Sequence, residues 1–169
     1  SVESDYEVAP TAVSVAFDGT SFDNGAALAA LADECKTEGG VLSYHIHEMW
    51  GHTDFDAAVG GEFCGGAFTG GHLDPTYACG PASGNDKCGD ADCSFVEPYN
   101  CSQSRYMMVP TVCEIGDLSG KYGKLTLDAS GMAAVMTTDQ YLPVSSALDG
   151  LSVVFHCPDA TRSFCMKLG

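Results

Sequence analysis

Nine cysteines constrain this 169-residue chain more than any other feature of its sequence. They are Cys35, Cys64, Cys79, Cys88, Cys93, Cys101, Cys113, Cys157 and Cys165. Such a density is typical of secreted domains and unusual in a reducing cytosol. No C-x-x-C pair occurs, which argues against a zinc ribbon or a thioredoxin-type site. Because the number is odd, one thiol is expected to be free or paired outside the chain.

The charge balance disfavours two classes of partner. Asp and Glu number 23 against 7 Lys and Arg, a net charge of −16, so nucleic acid and anionic membrane surfaces are poor partners.

No stretch approaches the roughly 20 apolar residues that a membrane span needs. The chain starts at Ser1 without an apolar leader segment. We therefore interpret it as a mature or trimmed extracellular domain, secreted or anchored at the cell surface.

The hydrophobic pattern favours an all-β fold. Hydrophobic residues make up 45% of the chain, glycine is frequent, and helix-length apolar periodicity is scarce. Residues 1–11 are expected to form an exposed lead-in and residues 12–169 a single domain. Residues 26–35 fit either one short helix or irregular packing. Strands are predicted at residues 12–17, 41–49, 124–129, 132–138 and 151–156, with a hairpin turn at 128–131.

Residues 51–111 form a long segment rich in Gly, Cys, Pro and Asp, with little periodicity. A run of this length inside a compact domain is usually functional or fixed by cross-links. Because five cysteines lie within it, we predict one long, disulfide-pinned functional loop. The expected architecture is one antiparallel β barrel or sandwich with this loop attached.

Four of the five histidines lie where a metal site could form. His45 and His47 are two apart on a predicted strand, so both imidazoles point to the same side and could clamp a metal. The alternative is an unliganded pair on a wet sheet face. His72 follows two glycines in the loop, and His156 ends an apolar strand, where a packed histidine is the commoner role. The fifth, His52, is interpreted as a solvent-facing loop residue.

Five short motifs together make the sequence similar to the copper/zinc superoxide dismutase superfamily, and they occur in that family's order. They are Tyr44-His45-Ile46-His47-Glu48, Gly71-His72-Leu73-Asp74-Pro75, Gly116-Asp117-Leu118-Ser119-Gly120, Ser152-Val153-Val154-Phe155-His156 and Arg162-Ser163-Phe164-Cys165. The resemblance implies an eight-stranded antiparallel Greek-key β barrel, sandwich-like in form. It also implies one copper ion bound by His45, His47, His72 and His156. An all-imidazole site suits copper.

The resemblance implies roles for further residues. A disulfide between Cys64 and Cys165 would tether the metal-bearing loop to the barrel, and Arg162 would attract and orient the superoxide anion beside the copper. The alternative for Arg162 is a surface arginine in an ion pair. Separately, we expect Cys101 to pair with Cys113, because only a short loop joins them.

The sequence departs from the zinc-containing members of that superfamily. No histidine occurs between His72 and His156, and Cys113 stands where the last zinc histidine would fall, so no zinc is expected. Thiolate ligation by Cys79 or Cys113 is the alternative, although both are expected to be bridged. Only five residues separate His156 from Arg162, which leaves out the charged loop that funnels substrate. Both departures resemble the extracellular, copper-only branch.

That branch carries a glutamate three residues before the aspartate, matched here by Glu114 and Asp117. We predict that at least one of them hydrogen-bonds His72, directly or through a water, because the ring has lost its zinc partner. Asp117 could also, or only, cap a turn. The expected activity converts two superoxide anions and two protons into dioxygen and hydrogen peroxide, with His72 delivering a proton and Glu114, Asp117 or water resupplying it. The alternative is a non-enzymatic extracellular copper-binding protein. A monomer is expected.

Overall fold

Two antiparallel sheets form the framework of the molecule. The computed structural model describes residues 11–18, 40–89, 98–129, 131–143 and 145–169. A two-stranded sheet pairs β1 with β5, and a five-stranded sheet has the order β3-β7-β6-β2-β4. The strands are β1 (Thr11–Asp18), β2 (Val41–His47), β3 (Ala57–Val59), β4 (Leu125–Thr126), β5 (Met132–Asp139), β6 (Ser152–His156) and β7 (Arg162–Lys167).

The helices of the described residues are short and lie in the connections between strands. They are α1 (Gly61–Cys64), α2 (Gly66–Thr69), α3 (Gln103–Met108) and α4 (Leu118–Tyr122), with 3₁₀ turns at Asp86–Gly89, Pro110–Val112 and Ser145–Ala147. In this part of the chain, no helix has the length and apolar character needed to cross a membrane.

The alternation of β2 explains how the sheet separates core from site. Leu42, Tyr44 and Ile46 are buried in the main hydrophobic cluster, so His45 and His47 point to the opposite face. β6 is buried along its whole length, as expected for a strand with neighbours on both edges. It pairs with β2 through Ser43↔His156 and His47↔Ser152. This register brings His156 beside the two histidines of β2.

Four of the five predicted strands agree with the structure, and the fifth is shorter than predicted. Strands occur at the predicted positions 12–17, 41–49 and 151–156 with small changes at their ends, and 132–138 lies within β5. The predicted strand 124–129 shortens to β4. A turn does form at 128–131, where Gly131 N donates to Asp128 O at 2.9 Å. Asp128 N also donates to Met132 O across this turn at 2.8 Å, so the predicted turn is confirmed. Beyond it β4 pairs with β2 and β5 pairs with β1, so the two strands join different sheets.

The all-β, antiparallel class is confirmed, but the described strands do not close into a barrel. The eight-stranded Greek-key arrangement stays a prediction. Residues 1–10 of the predicted lead-in and the segment 26–35 lie outside the described residues, while Thr11 already belongs to β1. The segment 51–111 is not structureless, because it contains β3 and several short helices.

Three disulfides have both of their cysteines among the described residues, and they pin the loops. Cys64 bonds Cys165, Cys101 bonds Cys113, and Cys79 bonds Cys88. The first two pairings are as expected, and the third explains how the long segment is held. Cys157 is also disulfide-bonded. The remaining cysteines, Cys35 and Cys93, lie outside the described residues.

Candidate metal centre

Four histidines converge on one point of the five-stranded sheet. His45 and His47 come from β2 and His156 from β6, while His72 comes from the loop and forms a backbone bridge with His47. One ring nitrogen from each of the four lies within 4.8 Å of the others. His45 and His47 therefore do share a face, and the cluster could hold a metal ion.

Hydrogen bonds at the far side of two rings determine which nitrogen faces the centre. His47 Nδ1 lies 3.1 Å from Gly70 O, and His156 Nδ1 lies 3.2 Å from Ala160 O. A carbonyl oxygen only accepts, so both Nδ1 atoms carry the proton and both Nε2 atoms carry a lone pair. The two Nε2 atoms are 3.3 Å apart. Two lone pairs facing each other at this distance repel, and a cation shared between them removes the repulsion.

The other two rings are held by carboxylates. His72 Nδ1 donates to Glu114 Oε2 at 2.7 Å, and His45 Nε2 lies 3.4 Å from Asp117 Oδ1. Glu114 is therefore the partner predicted for His72, and Asp117 serves His45 instead. His45 Nδ1 is buried without a hydrogen-bond partner among the described residues. Buried polar atoms normally have a hydrogen-bond partner, so this nitrogen among the other imidazoles is a candidate metal ligand.

The electrostatics of the cluster keep these rings neutral. Burial lowers the pKa of His47 to about 2, helped by the nearby His72. Burial likewise lowers the pKa of His156 to about 3, helped by His45. Both rings therefore keep their lone pairs at neutral pH. Metal binding requires unprotonated imidazole, so protons compete weakly for this site.

The two carboxylates differ in their preferred state. Burial raises the pKa of Glu114, and the N–H of His72 offsets part of this rise. Burial alone would raise the pKa of Asp117 as well, but hydrogen bonds from His45 and Tyr99 outweigh it and bring the pKa to about 2. Asp117 is thus ionised at neutral pH, whereas the ionised form of Glu114 is stabilised by its hydrogen bond from His72.

Asp117 has both of the roles considered for it. Its Oδ1 accepts from Gly120 N at 2.8 Å and so caps α4, in addition to its contact with His45. Its Oδ2 accepts from the hydroxyl of Tyr99 at 2.6 Å. Sequence reasoning missed Tyr99. The expected pairing of Cys101 with Cys113 contained a signal, because it brings residue 99 close to residue 114.

Arg162 lies at the same centre, and its hydrogen bonds to described residues all go to neutral oxygen atoms. Its Nη1 donates to Thr69 Oγ1 at 2.6 Å, to Gly70 O at 2.9 Å and to Cys64 O at 3.3 Å. Gly70 O also accepts from His47, which couples the guanidinium to one side of the histidine cluster.

An open cleft of about 380 Å³ gives solvent access to the centre. Its lining includes His45, His72, His156, Tyr99 and Arg162. His47 is fully buried beneath these residues. A small anion entering the cleft meets the guanidinium and three of the four imidazoles together.

His52 is not the solvent-facing residue that the sequence predicted. Its ring is half-buried, stacks on Phe68 with ring centroids 4.3 Å apart, and hydrogen-bonds Phe63 O at 2.8 Å. Trp50 packs against a small cluster that includes Cys64 and Cys165. These aromatic contacts brace the loop that carries Thr69 and Gly70.

Thiolate ligation by Cys79 or Cys113 is excluded, since both sulfurs are in disulfides. Asp74 lies close to Cys79 and Cys88, but its carboxylate accepts from Ala78 N, Cys79 N and Ser83 Oγ. It organises the loop rather than a second metal site.

Comparison with known proteins gave no match to any family model, curated protein or solved structure. What this centre can do therefore rests on its own residues: four converging imidazoles, two carboxylates behind them and one arginine beside them.

Proposed function

We propose that this chain is a copper-dependent superoxide dismutase of the copper-only, extracellular branch of the copper/zinc superoxide dismutase superfamily. The observation that carries the proposal is the unpartnered Nδ1 of His45, which faces three further imidazoles beside Arg162. Nitrogen-only ligation suits copper. The disulfides fit an oxidising, extracellular environment, and the eight-stranded barrel is part of the same proposal.

Copper bound by His45, His47, His72 and His156 would accept an electron from one superoxide anion and pass it to a second. The products are dioxygen and, with two protons, hydrogen peroxide. No zinc is expected, because no histidine between His72 and His156 is available to complete a zinc site, and Nδ1 of His72 already donates to Glu114.

Arg162 would position the substrate. Its Nη1 is anchored by three oxygen atoms, so the guanidinium has a fixed place in the cleft. A planar cation with several N–H groups orients a small anion better than a flexible ammonium does. The arginine therefore supplies both attraction and alignment.

The carboxylates would manage protons. Glu114 holds a proton at Nδ1 of His72 through the 2.7 Å hydrogen bond, and Asp117 acts on Nε2 of His45 in the same way. Because His72 keeps its proton on Nδ1 and His45 keeps its proton on Nε2, the other ring nitrogen of each histidine stays available to bind copper. Glu114, Asp117 or solvent in the open cleft would resupply the protons that peroxide formation consumes.

Long-range charge works against an anionic substrate in this chain, whose net charge is −16. Screening acts over about 8 Å at physiological salt, so the field close to Arg162 should decide capture. We expect the rate to fall as salt is added. A rate that rises with salt would show that the global repulsion dominates.

Elemental analysis and a superoxide-consumption assay on the same preparation test the proposal. Protein made in copper-replete medium should contain one copper and no zinc per chain. Arg162→Ala should lower the rate at least tenfold with the copper retained, whereas Arg105→Ala, a control on α3, should not. Copper-loaded protein that consumes no superoxide would favour a non-enzymatic copper-binding protein. A preparation that takes up no copper would contradict both the enzyme and the copper-binding protein.

A further inference from the structure

Tyr99 contacts both acidic residues that stand behind the histidines, Asp117 through its carboxylate and Glu114 through its backbone N–H. Its hydroxyl donates to Asp117 Oδ2 at 2.6 Å, and its oxygen accepts from Glu114 N at 3.3 Å. The side chain is half-buried and lines the same cleft as His45 and His72. The phenol of Tyr99 therefore contacts both residues that hydrogen-bond the histidines: Asp117, which contacts His45, and Glu114, which contacts His72.

The hydrogen bonds of Asp117 show what the phenol fixes. Oδ1 accepts from Gly120 N at 2.8 Å and lies 3.4 Å from His45 Nε2, while Oδ2 is taken by Tyr99. A phenol has one proton to give, and here it goes to Oδ2. The carboxylate is thereby held in the rotation that keeps Oδ1 against His45. The contact with His45 is long, so it depends on this rotation.

Gly80 packs against the same group of residues. A Cβ atom placed on Gly80 would lie 2.3 Å from Glu114 Oε1 and 3.1 Å from Tyr99 Cζ. The backbone of the loop closed by Cys79 and Cys88 therefore covers Glu114 and Tyr99 at van der Waals distance. A side chain at position 80 would therefore push on Glu114 and Tyr99, and glycine leaves the space that they occupy.

We propose that Tyr99 is a positioning residue that sets the protonated nitrogen of His45. With Asp117 held by the phenol, His45 carries its proton on Nε2 and turns Nδ1 toward the metal. The proposal rests on the histidine cluster holding copper, as proposed above. It adds a residue with no counterpart among the motifs of the sequence, acting through Asp117 and not on the substrate.

Tyr99→Phe tests this by removing one oxygen atom. In the metal-free protein, ¹⁵N NMR of the imidazoles should show one tautomer of His45 in the wild type and a mixture in the variant. Copper affinity, measured by competition with a chelator, should fall about tenfold, the lower end of the effect of outer-shell partners. The Cu(II) electron paramagnetic resonance spectrum should change as well.

Tyr77→Phe is the matched control, since the hydroxyl of Tyr77 contacts Lys87 Nζ at 3.3 Å and lies outside the cleft. It should leave all three measurements unchanged. In an Asp117→Asn background, Tyr99→Phe should have no further effect on His45, because the two residues act through one hydrogen bond. Asp117→Asn alone, which weakens the acceptor and keeps the phenol, should shift His45 in the same direction.

Unchanged tautomer, affinity and spectrum in Tyr99→Phe would overturn the proposal. If that variant does not fold, an unchanged His45 in Asp117→Asn overturns it equally. None of these readouts needs turnover. Wild-type protein that binds copper without consuming superoxide would refute the dismutase and leave the role of Tyr99 standing.

Discussion

The histidine cluster has a strand half and a loop half, and they are built differently. In the strand half, His45, His47 and His156 come from β2 and β6, whose ladder and alternation fix where the rings point. In the loop half, His72 comes from irregular chain, and the anchors of Arg162 come from the short helices α1 and α2 and from Gly70. Sheet register positions the first half, whereas disulfides and buried hydrogen bonds position the second.

This difference separates stability from affinity. A histidine on a strand lies over the hydrophobic core. Substitutions in the core beneath it should therefore change the free energy of unfolding more than they change metal affinity. A loop ligand depends on a few specific contacts, so their loss should alter the site directly. Four changes test this division, beginning with the largest expected effect.

Removing the Cys64–Cys165 disulfide should destabilise the protein most. The bond links residues 101 apart in sequence, for which chain entropy predicts a loss of about 4.7 kcal/mol in the free energy of unfolding. Denaturant unfolding of Cys64→Ala/Cys165→Ala measures it. Because Cys64 O also accepts from Arg162, turnover should fall in the variant that remains folded.

The Cys79–Cys88 disulfide is the control, because its partners are only 9 residues apart. Chain entropy predicts a loss of about 2.6 kcal/mol when it is removed by the same Ala substitutions. Equal losses for the two pairs would contradict the view that the long tether is the main support of the loop half.

Lys121→Met should cost nearly as much, about 3–5 kcal/mol of unfolding free energy. Lys121 Nζ is buried, bonds Ile115 O at 2.8 Å, and pairs with Asp139 Oδ2 at 3.1 Å. This contact ties α4, which Asp117 caps, to the end of β5. Without it Asp139 is a buried anion with no cation. Lys124→Met, at an exposed position, should change the free energy by less than 0.5 kcal/mol.

The same pair has an expected pH dependence. Burial alone would raise the pKa of Asp139, but Lys121 and the hydroxyl of Tyr106 hold it below its usual range. The ionised carboxylate therefore stabilises the fold above its unfolded pKa near 4, and this contribution is lost as pH falls through the lowered pKa. The difference between wild type and Lys121→Met should shrink below about pH 4, and a constant difference would show that lost packing dominates.

Glu114→Gln should weaken copper binding 10- to 100-fold, about 1.4–2.7 kcal/mol, while changing unfolding less than the two changes above. The amide keeps the shape but accepts more weakly from His72 Nδ1. Chelator competition measures the effect. Glu48→Gln is the matched control, because Glu48 is exposed and its carboxylate accepts from the backbone N of Gly71 at 3.4 Å, not from a histidine. Equal losses in the two variants would indicate a general effect of charge.

The strand half was predictable from the sequence and most of the loop half was not. Period-two alternation places His45 and His47 on one face, and an apolar run ending in His156 predicts a strand there. No comparable rule connects Tyr99 with Asp117, because their contact depends on how the chain folds back between two disulfides. The carbonyl groups of Gly70 and Ala160 leave no trace in the sequence, since every residue carries one.

The differences from the structure have the same origin. The turn at 128–131 forms, but a turn signal reports local geometry and not which sheet each strand joins. The contact of His52 with Phe68 is not predictable, because the two residues are distant in sequence. The resemblance predicts that Glu114 or Asp117 contacts His72, and only the structure shows that Glu114 does so and that its side chain is buried.

Ile46→Val should have the smallest effect and tests the strand half itself. Ile46 stands between His45 and His47, with 3% of its surface exposed, in the main core cluster. Removing one methylene should lower the free energy of unfolding by about 1 kcal/mol. Copper affinity should stay within twofold of wild type, because the paired backbones of β2 and β6 hold the rings. Unfolding and chelator competition on one preparation give both numbers. An affinity loss as large as that of Glu114→Gln would mean that core packing, and not the ladder, positions the strand ligands, and the division between the two halves would fail.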